Sequence, residues 1–163
     1  MRKWLTAAAV CGVLALVSSA MPFQGRDVAQ LIPVEALVIS MEEGTIILDG
    51  GDCCGMGETW EAAWEDLHRG AEGTVFLNTA EYVVLTDTAM QLLETVVWNE
   101  NLRPAAEIYG AQGVRSDPKE VASYLNGKQT GSTIQQLRSD LVNTHSVKLP
   151  LLVKTEGGLR LYE

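Results

Sequence analysis

The chain has 163 residues, of which 47% are apolar and 20% charged, enough for one domain with a real core and too few to divide comfortably into two. Its 21 Asp and Glu against 12 Lys and Arg give a net charge of −9, which excludes a surface built to hold nucleic acid or an anionic lipid face. That apolar content also excludes an intrinsically disordered chain.

Arg2 and Lys3 precede a nearly continuous apolar run from Trp4 to Val17, and Ser18-Ser19-Ala20 follows with the small-x-small pattern of a signal-peptidase site. Residues 1–20 read as a secretory signal, with an uncleaved N-terminal anchor as the alternative. Cleavage would remove two of the basic residues and none of the acidic ones, leaving an exported chain more acidic still. Cys11 lies inside the apolar run behind Val10, which is the wrong residue for a lipidation site, so no lipobox is expected. Residues 21–33 read as a tether, and residues 34–163 as the single folded domain.

The strand candidate Val34–Ser40 and a second at Thr45–Leu48 flank Glu42-Glu43-Gly44, a hairpin turn. Gly50 to Gly57 reads as a flexible, glycine-rich loop whose spacing fits no phosphate-binding pattern. Cys53 and Cys54 lie side by side in it, open to a strained vicinal disulfide, to pairing with a partner, or to persisting as thiols. These two are the candidate site residues. Neither has a spacing suited to metal, because His68 and His145 are remote.

From Thr59 a helical period begins. Trp60, Ala63, Trp64 and Leu67 share one face, while Glu58, Glu61, Glu65 and Asp66 fall largely on the other. Core packing is the expected use of the two indoles, with a ligand-stacking platform as the competing reading. Val75 to Leu85 is expected to form one or two buried strands, and Asp87 to cap a helix with Met90, Leu93 and Val97 inside and Trp98 extending the stripe. The strand Ala106–Ala111 follows. Asp117-Pro118-Lys119-Glu120 then starts a helix carrying Val121, Tyr124 and Leu125, with Glu120 placed for a capping box and Gly127 as the stop. A further helix is expected from Ser132, with Ile134, Leu137 and Leu141 inside. Leu149–Lys154 and Leu159–Tyr162 form a closing hairpin across Gly157-Gly158. The fold class is therefore α/β: a mixed β-sheet with terminal antiparallel hairpins, packed by about four helices.

No nucleophile elbow, zinc-protease pair or nucleotide-binding glycine pattern occurs, and both histidines stand without partners in sequence. The expectation is a protein that is not an enzyme, with no cofactor and no metal. Several stretches resemble the N-terminal domain of the Ger(x)C family, the C subunits of spore germinant receptors. Arg26–Leu31 with Val34–Ser40 resembles that family's segment after the signal, and Gly57–Leu67 its first helix start. Val75–Asn78 with Tyr82–Leu85, Asn101–Gly110, the helix at 117–125, and Val147–Leu152 resemble its later strands and helices. Three departures stand out. Met21-Pro-Phe-Gln-Gly occupies the place of the family's lipobox Cys, Asn78-Thr79 replaces a Gly-His, and the match covers only the first of the family's domains.

The resemblance implies a stand-alone, exported accessory protein of sporulation or germination. It would work by protein–protein contact with membrane subunits of a germinant receptor, in peripheral association with the outer face of the membrane. A secreted small-ligand or glycan-binding module, using the Gly50–Gly57 loop and the Trp60/Trp64 face, is the alternative. Exposed indoles favour that alternative and buried ones oppose it. A redox protein using Cys53 and Cys54 is a third reading.

Overall fold

The computed structural model describes residues 31–112, 116–128, 130–144 and 147–162. The expected signal, most of the expected tether, and His145 lie outside the described residues. Ten strands and four α-helices occur among the described residues. Leu31–Pro33 (β1) is followed by Ala36–Glu42 (β2), Thr45–Asp49 (β3), Cys54–Gly57 (β4) and the helix Trp60–Gly70 (α1). Thr74–Phe76 (β5) and Tyr82–Thr86 (β6) precede the short helix Leu93–Val97 (α2) and Glu107–Gln112 (β7). Pro118–Leu125 (α3), Ser132–Thr133 (β8), Ile134–Asn143 (α4), Leu151–Thr155 (β9) and Gly158–Tyr162 (β10) complete the order.

The main sheet is mixed and runs β10-β9-β7-β6-β2-β3-β4, with β8 paired to β7; β1 and β5 form a separate parallel pair. Its centre is parallel, β2 to β6, β6 to β7 and β7 to β9, while both ends are antiparallel hairpin ladders. That is the mixed α/β architecture, with terminal hairpins, that the sequence pattern implies. The Glu43-Gly44 turn carries positive φ at both positions, 49° and 85°, as a two-residue hairpin of the right twist requires.

Helices cover both faces of the sheet unequally. Trp60, Ala63 and Leu67 of α1, Val96 and Val97 of α2, and Ile134 and Leu137 of α4 pack on the face formed by Leu37, Ile39, Leu48, Val83, Leu85 and Ile108. On the other face α3, alone among the described helices, sets Val121, Ala122 and Leu125 on Val38, Val84, Tyr109 and Leu152. Fully burying each such aliphatic side chain contributes about 1.5–3 kcal/mol, so these two layers carry the fold.

Four expectations are corrected. Residues 54–57 are not loop but β4, hydrogen-bonded to β3. A Cβ on Gly55 or Gly57 would overlap the backbone of Ala63 and Leu67 or of Ala62 and Ala63, so glycine is there to let a strand lie directly against α1. The segment after β6 begins as a 3₁₀ turn, Asp87–Leu92, preceded by Thr86. Its tighter winding brings Ala89 and Val96 into the core beside the expected Leu93 and Val97, and leaves Met90 and Trp98 exposed. Glu120 closes no box; it is bound to Lys154 at 2.7 Å, tying α3 to β9. The capping box belongs instead to α4, one residue later than expected, between Thr133 and Gln136.

Candidate functional site

The turn holding the two cysteines is ordered by its own backbone. Gly50 N–H donates to Cys53 O at 2.9 Å, Gly51 N–H donates to Asp49 Oδ1 at 2.9 Å, and Gly51 takes a φ of 87°. Cys53 is buried against Val34, while Cys54 is exposed at the start of β4. Successive residues of extended chain point to opposite faces, so the two thiols diverge. Neither forms a disulfide. Burial first, then the charges of Asp49 and Asp52, pushes the Cys53 thiol above its ordinary range and keeps it protonated, a poor nucleophile at neutral pH.

The indole face is shared with its own neighbours. Trp60 is buried. Trp64 is flanked by Trp60 one turn before it, ring centres 5.8 Å apart, and by His68 one turn after it at 5.2 Å. His68 Nδ1 also sits 2.8 Å from Trp64 O, near the helix C-terminus. Both ring contacts are tilted, and a recess of about 300 Å³ lined by Trp60, Trp64, Asn99 and Asn101 opens beside them. Trp98 is exposed, with the Arg138 guanidinium 5.6 Å from its ring.

A wider concavity lies elsewhere, at the amino ends of the parallel strands. A trough of about 690 Å³ runs under the carboxyl half of α3, lined by Glu35, Glu81, Tyr82, Arg103, Lys119 and Ser123 among others. Two smaller recesses of about 270 and 330 Å³ share Glu35 and Lys119, or Glu81 and Arg103, with it. Its floor is held by Thr79, whose hydroxyl accepts from Val34 N–H at 3.1 Å and lies 2.7 Å from Phe76 O. Thr79 thus ties the residue after β1 to the 3₁₀ turn after β5.

The trough carries both charge signs. Arg103 pairs with Glu81 at 3.4 Å, and its Nε is buried without a hydrogen-bond partner among the described residues. Lys119 Nζ reaches Asp52 Oδ1 at 2.6 Å, which raises the ammonium pKa. Beside it, Tyr109 is buried and donates to the Glu107 carboxylate, which also accepts from Gly131 N–H at 3.2 Å. Burial and that carboxylate push the Tyr109 phenol well up, and burial raises Tyr82 too, so both stay neutral donors.

Parallel α/β sheets usually bind nucleotides or cofactors at the carboxyl ends of their strands, where strand order reverses. Here the parallel strands follow one direction, β2-β6-β7-β9, with no reversal. At the carboxyl ends of β2 and β6, Thr86 Oγ1 donates to Ile39 O at 3.3 Å, and Thr88 Oγ1 accepts from Met41 N–H at 3.2 Å. Among the described residues Ser123 lines the trough with no histidine beside it, and no group of three side chains is arranged for a metal ion. The arrangement can exchange hydrogen bonds and charge with a polar surface or ligand.

The two predicted site residues therefore lie apart from the concavity. Glu35, Glu81, Arg103 and Lys119 come from four separate segments, and the signal that could have found them is their position just before β2, β6 and β7 or on α3. The fold is a mixed α/β sheet with a charged trough at the amino ends of its parallel strands. Comparison with protein-family models, curated proteins and solved structures returned no match to this chain.

Proposed function

We propose that this chain is an exported, non-catalytic accessory module of a spore germinant receptor, acting by protein–protein contact at the outer face of the membrane. One observation supports the reading above all. The stretches that resemble the Ger(x)C domain include β6, β7 and the start of β9, which are neighbours in the main sheet, together with β5 of the separate pair and the helices α1 and α3 that pack on opposite faces. The trough is built by the same elements, with Arg103 ahead of β7 and Lys119 on α3, and is the contact surface under this proposal. Its paired charges suit a polar protein loop better than a small apolar ligand.

The test is a strain lacking this chain. Nutrient-triggered germination, followed by loss of optical density, should slow, while germination forced without the receptors should proceed normally. A chain carrying Arg103→Glu and Lys119→Glu, with unchanged circular dichroism, should reproduce the defect. Equal nutrient responses with and without the chain would contradict the proposal.

A further inference from the structure

The two outer strands of the main sheet are treated differently. In β4 the outward backbone groups are those of Cys54 and Met56, because Gly50 N–H bonding to Cys53 O sets the phase of the β3–β4 ladder. Met56 N–H is taken by Asp66 Oδ2 of α1 at 3.0 Å. At the other end, Gly110 N–H donates to Pro150 O at 2.9 Å, so residues 150, 152 and 154 face β7 and residues 151, 153 and 155 face β10. Through the ladder Thr155↔Gly158, Val153↔Arg160 and Leu151↔Tyr162, the groups left pointing outward on β10 are those of Leu159 and Leu161. Among the described residues nothing pairs with them. An unblocked edge of this kind is a template for another strand.

We propose that this edge is taken by a second copy of the chain, the two β10 strands pairing antiparallel about a twofold axis through Leu161. The outward groups allow three axes. An axis through Arg160 sets that guanidinium against its own copy, which repels. An axis through Leu159 runs each turn into the other strand. With the axis through Leu161, Arg160 of each copy stands across from Tyr162 of the other, twice over. Arg160 and Tyr162 are both exposed on the same face of the sheet, so each guanidinium lies beside a phenol ring. On the opposite face the half-buried Leu161 meets its counterpart, extending the apolar cluster of Leu159 and Leu152. The inference does not depend on the germination reading.

Residues 160 and 162 of the two copies then form a non-hydrogen-bonded pair, the close kind that a disulfide can bridge, whereas two residues at 160 are too far apart. The full chain carrying Arg160→Cys and the full chain carrying Tyr162→Cys are produced together in exporting cells and oxidised, beside each variant alone and the parent chain. A disulfide-linked dimer several-fold more abundant in the mixture than in any of the three controls is the expected result. The absence of that excess, or equal linkage of Arg160→Cys alone, would overturn the proposal. Both positions are exposed, so folding is not at stake.

Discussion

The β4 and β10 ends of the sheet solve the same problem in opposite ways. Both are short strands whose outer backbone groups would otherwise face water. At β4 the sequence spends two glycines to bring α1 against the strand and one aspartate to cap an outward N–H. At β10 it spends nothing comparable: Leu159 and Leu161 keep their outward groups, and Arg160 and Tyr162 stand exposed beside them. Among the described residues one edge is capped from within the chain and the other keeps its outward groups, which is the edge the proposed pairing uses.

The contrast is most easily broken at the glycines. Gly55→Ala places a methyl group inside the α1 backbone, and a loss of about 3 kcal/mol or more in urea unfolding is expected, at the upper end for overpacking. A loss below about 1 kcal/mol would mean that α1 does not close this edge. Next comes a pair of prolines on β10. Arg160→Pro removes an N–H bonded into β9 and should cost about 2–3 kcal/mol, whereas Leu161→Pro removes an outward N–H and should cost about 1 kcal/mol, from lost packing. Equal losses would contradict the assigned phase. On light scattering, Leu161→Pro should also shift any dimer to monomer.

Asp66→Ala is smaller. It deprives Met56 N–H of its acceptor and should cost about 1 kcal/mol at most, since the site is partly open to water. Smallest in stability, though clear in rate, is thiol labelling of the folded chain read by peptide mapping. Cys54 should react promptly and Cys53 only as the protein opens, because its thiol is buried and kept protonated. Equal rates would show that the turn before β4 is loose.

Local signals were legible and contacts between distant segments were not. The Glu43-Gly44 turn, the start of α1 after Thr59, the Asp117-Pro118 start of α3 and the closing hairpin each rest on neighbours within a few residues, and each stands where the pattern puts it. Gly55 and Gly57 read as loop because glycine in isolation signals flexibility; what fixes them is the backbone of a helix several residues ahead. The stripe after β6 shifted because a 3₁₀ turn winds tighter than the period used to find it. The trough was illegible for a related reason. Glu35, Glu81, Arg103 and Lys119 are unremarkable charges until parallel pairing gathers the strand beginnings in one place.

Amide hydrogen exchange at three backbone positions, run at low and high protein concentration, tests the central claim most directly. Met56 should exchange slowly at both concentrations, because Asp66 closes its edge from within the same chain. Leu159 and Leu161 should exchange fast when dilute and become protected when concentrated, as a second copy covers them. Fast exchange at Met56, or exchange at Leu159 and Leu161 that ignores concentration, would contradict an account in which one edge is closed and the other joins two chains.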